Sequence, residues 1–213
     1  MKPLTRSNTH RSTKIRPEVP VSEPQILLRG SKLALGMTRA DMLPEYHRWE
    51  NEPGVVLGYG TQLPQSWETR AAGYEAQARG SDRQARFEVI RLPDNQPIGM
   101  TVLHVDHQVR TAEYVILLAP EARGHGYATE ATRLTLDWAF HLAALRMVWL
   151  KVLEPNTAGV RAYQRAGFRP AGRLRLAGYW LGQPCDELIM DATPDDFGAE
   201  SVVATNLTAP PNP

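Results

Sequence analysis

Leu117-Leu118-Ala119-Pro120-Glu121-Ala122-Arg123-Gly124-His125-Gly126-Tyr127-Ala128-Thr129 joins an apolar strand to a helix through a turn that holds two glycines. The strand stops at Pro120, which has no N–H to give a ladder. A helix that opens directly after such a turn aims its unpaired N–H groups and the positive end of its dipole at one point. A phosphate or pyrophosphate fits that point. Arg123 adds positive charge, and Gly124, Gly126 and the small Ala128 let a ligand come close to the backbone. The run is not the dinucleotide fingerprint, because Thr129 stands where a third glycine would be, and no Gly-Lys-Ser/Thr makes it a P-loop. Taken alone, it is also what an ordinary strand-to-helix turn looks like.

Working outward, the spacing predicts a helix from Gly124 to about Leu142, with Ala128, Ala131, Leu134, Trp138 and Leu142 on its buried face. Met147–Val152 reads as an apolar strand, and Asn156–Ala166 as a short helix stopped by Gly167. Phe168–Leu181 and Cys185–Met190 form a last hairpin around Gly182-Gln183-Pro184. Upstream, Lys32–Met37 reads as a first strand. A helix capped by Thr38 or Asp41 carries Leu43, Tyr46, His47 and Trp49, a loop spans Gly54–Gln65, and a second helix opens at Ser66. Strands at Arg86–Arg91, Ile98–Val105 and Ala112–Leu118, joined by short turns, predict antiparallel pairing in the first half. The whole is a mixed α/β sheet with helices on its faces.

A chain of 213 residues, 42% hydrophobic, is long enough for one domain with a sizeable core. Residues 1–24 and 198–213 are polar or proline-rich and are expected to be flexible tails around a single domain at 25–197. The net charge of +1 gives no strong field for nucleic acid or a membrane surface. No run of about 18 apolar residues argues for a membrane span, and the polar N-terminus lacks a signal-peptide core. A cytoplasmic location follows, in keeping with the single Cys185, which has no partner for an internal disulfide and reads as packing rather than as a nucleophile.

Arg123, Gly126 and Ala128 match the coenzyme A-binding motif [RQ]-x-x-G-x-[GA], and Asn156 to Phe168 matches N-x-x-[AG]-x-x-x-Y-x-x-x-G-F. With these two signatures, in this order of elements, the chain resembles the GNAT superfamily of N-acetyltransferases from about Leu35 to Met190. Pro97–His104 and Arg110–Tyr114 resemble the branch with ribosomal-protein N-terminal and spermidine acetyltransferases. That branch has Ala-Glu-Ile-Gly-Tyr where this chain has Ala112-Glu113-Tyr114-Val115-Ile116. The resemblance implies a mostly antiparallel GNAT-like sheet with a strand–turn–helix coenzyme A site. It implies acetyl-CoA as co-substrate with no metal, and contacts to it from Leu117, Leu118, Arg123, Gly124, His125, Gly126, Tyr127, Ala128, Thr129 and Asn156.

An alkylammonium of pKa near 10.4 leaves only about one molecule in a thousand as the nucleophilic amine at pH 7, so a base is needed. The resemblance puts Glu113 in that role, and His104 on the neighbouring strand is the second candidate. It further implies an oxyanion donor in the main chain at Leu117 or Leu118, and Tyr163 as proton donor to the departing thiolate. Asn156 caps the helix that follows it. Trp49, Tyr59, Trp67, Tyr74, Tyr179 and Trp180 are candidates to clasp the acceptor, and Glu45, Glu50, Glu52, Glu68 and Glu75 to attract a cation. The expected acceptor is the primary amine of a small molecule such as an antibiotic, a polyamine or a biosynthetic intermediate. The alternatives are a peptide α-amino group, a non-catalytic coenzyme A-binding module, and another acyl donor such as a longer acyl-CoA or an aminoacyl-tRNA. A homodimer is what the resemblance allows; nucleic acid and membrane are not expected partners.

Overall fold

The computed structural model describes residues 22–59, 63–78 and 83–208. Eight strands form one sheet: β1 Ile26–Arg29, β2 Leu33–Met37, β3 Gln84–Arg91, β4 Gln96–Asp106, β5 Thr111–Leu118, β6 Met147–Leu153, β7 Arg169–Trp180 and β8 Gln183–Ala192. Their order is β1-β2-β3-β4-β5-β6-β8-β7, and every neighbouring pair is antiparallel except β5 with β6. The mixed, mostly antiparallel sheet expected from the sequence is therefore the observed one. Its helices are α1 Leu43–Glu50, α2 Pro53–Tyr59, α3 Trp67–Ala78, α4 Tyr127–His141, α5 Thr157–Ala166 and α6 Val202–Thr208. The core runs along the sheet from Leu33, Leu35 and Val89 through Leu103 to Val148 and Leu150, closed by Tyr46 and Trp49 of α1 and by Leu134 and Leu136 of α4.

Four expectations give way. The helix α1 has no side-chain cap from Thr38 or Asp41; its N-cap is Met42, with a proline in the first turn. Asp41 instead pairs with Arg39, which also reaches the fully buried Glu88, and Glu88 accepts the Tyr46 hydroxyl at 2.6 Å. This network, closed through side chains far apart in sequence, ties α1 to β3. The Gly54–Gln65 segment is not wholly a loop. Pro53 presets the first turn of α2, and the Glu52 carboxylate accepts the Val55 N–H at 2.9 Å; residues 60–62 of that segment lie outside the described residues. Third, the 198–213 stretch is not all tail. Helix α6 packs on α4, with Val203 buried. Its N-terminus is capped from a distance by buried Asp137, which accepts from Ser201 Oγ at 2.6 Å, Val202 N at 2.7 Å and Val203 N at 3.1 Å. Correspondingly, α4 is buried on more than one stripe, and Leu142, expected in its buried face, is exposed. Residues 1–21 and 209–213 of the expected tails lie outside the described residues.

Candidate active site

The parallel contact between β5 and β6 covers only Thr111 to Glu113 against Met147 to Trp149. Beyond it, β5 stays with β4 up to Leu118, while β6 stays with β8 up to Leu153. Each strand keeps its other partner, so the two diverge and leave a wedge. A cleft of about 440 Å³ fills it, lined by Glu113 to Leu118 on one side and Lys151 to Leu153 on the other. Helix α2 covers it with Gly54, Val55, Gly58 and Tyr59, and α5 contributes Tyr163 behind Asn156. Trp180 and Glu187 of the β7–β8 hairpin complete it.

Backbone donors face this cleft in a definite pattern. Ala119 N–H donates to Ile98 C=O at 2.8 Å, and the β4–β5 register runs without a bulge from Gly99 opposite Leu118 to Asp106 opposite Thr111. Alternation along an antiparallel strand then turns the N–H groups of Leu117 and Val115 to β4, and those of Leu118 and Ile116 into the wedge. Both residues named as oxyanion donors line the cleft, but of their two N–H groups only that of Leu118 points into it. Gly99 lets β5 lie this close. A methyl built there overlaps the Leu117 carbonyl oxygen and comes within 2.8 Å of Leu118 Cδ2 and 3.0 Å of Leu118 Cα.

At the far end of β5 a short 3-10 turn, Pro120–Ala122, carries the chain to Arg123 on the cleft wall and on to α4. Gly126 is the N-cap of α4 at φ 77°, with no side chain capping the helix, and Gly124 stands at φ 79°. Both angles are left-handed and favour glycine. Nothing lies within 4 Å of a methyl at either position, so it is conformation rather than crowding that requires glycine there. No side chain caps the first amides of α4, at Tyr127 and Ala128. Their placement is fixed by Glu130, whose carboxylate accepts the N–H groups of Ser31, Lys32 and Leu33 at 2.8–3.2 Å and so pins the β1–β2 turn to α4. His125 stacks on Tyr127 with ring centroids 5.4 Å apart, and the Thr129 hydroxyl reaches Ala162 C=O of α5 at 3.5 Å. The Arg123 guanidinium pairs with Glu52 at 3.0 Å, which ties the turn to the start of α2.

Tyr163 stands edge-on to Tyr114 and Phe168, and burial pushes its phenol up to about 12. Asn156 caps α5, its Oδ1 accepting Gly159 N–H at 3.0 Å. Glu113, Tyr163, Leu117, Leu118, Arg123 and Asn156 therefore meet in one cleft. His104 does not line it; it lies opposite Glu113 on β4, half-buried. Burial first, and then the Arg86 charge, lower its pKa below the ordinary 6.5, against the pull of Glu113. The thiol of Cys185 is raised by burial and by Asp186, Glu154 and Glu187, which disfavours a thiolate.

The acceptor residues expected from the sequence divide. Tyr59 and Trp180 line the cleft, but Trp49 is in the core and Tyr179 is exposed. Trp67 and Tyr74 pack against the core. Glu45, Glu50 and Glu52 are held in ion pairs with Arg48, Arg70 and Arg123, and Glu68 is exposed. Among the described residues, the carboxylates that line the cleft are Glu113 and Glu187. Glu187 and Lys151 were missed by sequence reasoning. For Lys151 the signal available was a charged residue inside an otherwise apolar strand; Glu187 follows Asp186 in a mixed strand, which gave no such signal.

Residues 33–169 match the family model described as Acetyltransferase (GNAT) domain. The chain is 33% identical over 103 residues to spermidine N(1)-acetyltransferase of Escherichia coli (strain K12), covering 48% of this chain and 55% of that protein. It is 30% identical over 94 residues to the Vibrio cholerae enzyme of the same name, covering 44% and 54%. The chain thus spans about half the length of the curated relatives it matches. Among solved structures, spermidine N-acetyltransferase from Vibrio cholerae in complex with CoA and spermine is similar with a TM-score of 0.73 over 79% of this chain and 99% of that one, at 23% identity. That likeness carries the fold.

Proposed function

The chain belongs to the acetyltransferase (GNAT) family, and from that premise we propose that it transfers an acetyl group from acetyl-CoA to the primary amine of a small cationic molecule, a polyamine first among them. The observation that carries the reading is the wedge between β5 and β6. It offers free backbone groups to an extended amide-bearing arm, reaches Arg123 three residues before the uncapped N-cap of α4, a helix start suited to a pyrophosphate, and holds a carboxylate and a phenol on its walls. The polyamine is favoured by the names of the relatives and by Glu113 and Glu187, which present negative charge to a cationic acceptor beside the aromatic Tyr59 and Trp180. A cytoplasmic location goes with this reading. Among the described residues no helix is long and apolar enough to cross a membrane.

In this mechanism Glu113 takes a proton from the ammonium. The free amine attacks the thioester carbonyl carbon, a C–N bond forms, and the carbonyl electron pair moves onto oxygen, which the Leu118 N–H receives. Collapse breaks the C–S bond, and the sulfur takes the phenol proton of Tyr163. Of the two protons the nitrogen gives up, one ends on the thiol by way of Tyr163 and the other leaves to water from Glu113. A phenol raised by burial keeps its proton through the neutral range and so suits the acid role. Glu187 and Lys151 line the same walls without a step of their own. The reading is tested by thiol release from acetyl-CoA with spermidine, aminoglycosides, amino acids and short peptides. Turnover is expected with spermidine, and turnover confined to peptides would move the assignment to α-amino acetylation.

A further inference from the structure

Behind Glu113 runs a chain of side chains that the mechanism above does not use. Arg86 on β3 donates from Nε and Nη2 to Gln84 Oε1, at 3.1 and 3.0 Å. The other end of the same amide, Gln84 Nε2, lies 3.1 Å from Nδ1 of His104 on β4. His104 is the cross-strand partner of Glu113 on β5. The four residues alternate in step across three strands, so they share one face of the sheet.

The chemistry of the first link decides the last. Arginine has only donors, so the Gln84 atom it bonds must be the oxygen. The Gln84 nitrogen is therefore the atom facing His104, and a carboxamide nitrogen only donates. Nδ1 of His104 must accept, so the proton of the neutral ring sits on Nε2. A second proton on Nδ1 would point at the Gln84 N–H, which disfavours the imidazolium by geometry alone. The direction of the His104 pKa shift agrees.

We infer that Arg86 and Gln84 are positioning residues which lock His104 as a neutral Nε2–H donor beside Glu113, so that His104 orients the carboxylate and does not itself serve as the base. This deepens the reading of Glu113 as the group that deprotonates the acceptor, and it rests on that reading. The charged groups around the relay come from every neighbouring element: Glu113 on β5, Arg86 on β3, Glu50 on α1 and Arg70 on α3, with Tyr59 on α2. Arg86 itself is lowered by burial first and then by Arg70, with Glu50 and Tyr59 opposing. Glu50 pairs with Arg70 at 2.6 Å, and the two charges act on Arg86 through space in opposite senses.

The test is the tautomer of His104, read in a long-range proton–nitrogen correlation spectrum of histidine-labelled protein between pH 5 and 8, with the signal assigned by its loss in His104→Gln. The wild type is expected to carry its proton on Nε2 at pH 7 and to titrate below 6.5. Gln84→Glu replaces the donor with an acceptor, so the proton should move to Nδ1 and the ring should titrate above 6.5. Relative to wild type, its kcat at pH 8.5 should fall about ten- to a hundredfold, because a ring titrating between about 6.5 and 7.5 then keeps an Nε2 proton in only about one to ten molecules in a hundred. It should recover as the pH is lowered and Nε2 regains a proton, whereas a variant merely loosened in structure would not recover. Gln84→Met, which offers neither donor nor acceptor, should give a mixture of tautomers. A wild-type ring protonated on Nδ1, or charged at pH 7, overturns the inference. So does Gln84→Glu with an unchanged tautomer and an unchanged pH profile. If no amine is acetylated at all, the spectrum still decides the relay, and the failure falls on the proposed reaction instead.

Discussion

One methyl group at Gly99 should disable the site while the sheet survives. Gly99 has no left-handed φ, so alanine is compatible with its backbone, and the conflict is one of space. The methyl overlaps the Leu117 carbonyl oxygen and stands 2.8 Å from Leu118 Cδ2 and 3.0 Å from Leu118 Cα. Two of these are backbone atoms, which cannot swing aside as a side-chain end can, so β5 must shift where Leu118 offers its N–H. Overpacking of this kind costs about 1–3 kcal/mol. For a chain of this size that lowers Tm by about 2–4 °C per kcal/mol. The catalytic loss should be larger, because a misplacement of about 1 Å costs on the order of a hundredfold in rate. Steady-state kinetics of Gly99→Ala should show kcat down by about that factor, with a smaller change in KM for acetyl-CoA. Gly73→Ala on α3, where nothing lies within 4 Å of the new methyl, serves as the control. It should match or exceed wild-type Tm, since alanine favours a helix by about 0.5–1 kcal/mol. Wild-type kcat and Tm in Gly99→Ala would refute the placement of the oxyanion donor on β5.

Other consequences are as specific. Tyr163→Phe should lower kcat by about a hundredfold or more with little change in acetyl-CoA binding, as a lost general acid does; a wild-type rate would remove the phenol from the mechanism. The Tyr163 phenol lies at about 12 in the folded state and near 10 when unfolded. Its contribution to stability is complete below pH 10 and is lost as the pH rises toward 12, at about 1.4 kcal/mol per pH unit; urea midpoints across that range should fall less steeply in Tyr163→Phe. Gly126→Ala forces a side chain into φ 77°, at about 1–2 kcal/mol, and should weaken acetyl-CoA binding by calorimetry far more than it slows bound substrate. Asp137→Ala strips three donors at α6 and leaves His141, bonded at 2.7 Å, without its partner. A loss of about 3 kcal/mol by urea unfolding is expected, with hydrogen exchange freed in Val202–Thr208; unchanged protection there would contradict the capping role.

The α4 turn could be read from the sequence because its demands are local: two glycines at positive φ, an uncapped helix start and a strand end fall within a few consecutive residues. The α5 signature was legible for the same reason, with Asn156 as cap and Gly167 as a left-handed stop. What escaped was set by partners far apart. The α6 cap comes from Asp137, 64 residues before Ser201, and no periodicity in a seven-residue helix announces it. The wedge depends on where β5 and β6 cease to pair, which their apolar patterns do not encode. Trp49 and Tyr59 look alike as aromatic acceptor candidates, yet one fills the core and the other the cleft, because burial is decided by the α1 and α2 docking angles. The relay from Arg86 to Glu113 crosses three strands, so its members are adjacent only once the register is known.

The most direct test of the central claim is mass spectrometry of spermidine incubated with acetyl-CoA and the protein. The account predicts a spermidine product carrying one added acetyl group, at a rate proportional to protein and cut sharply in Glu113→Gln and Tyr163→Phe. Bound acetyl-CoA that acetylates neither spermidine nor any other amine, or product formed equally well by both variants, would contradict it.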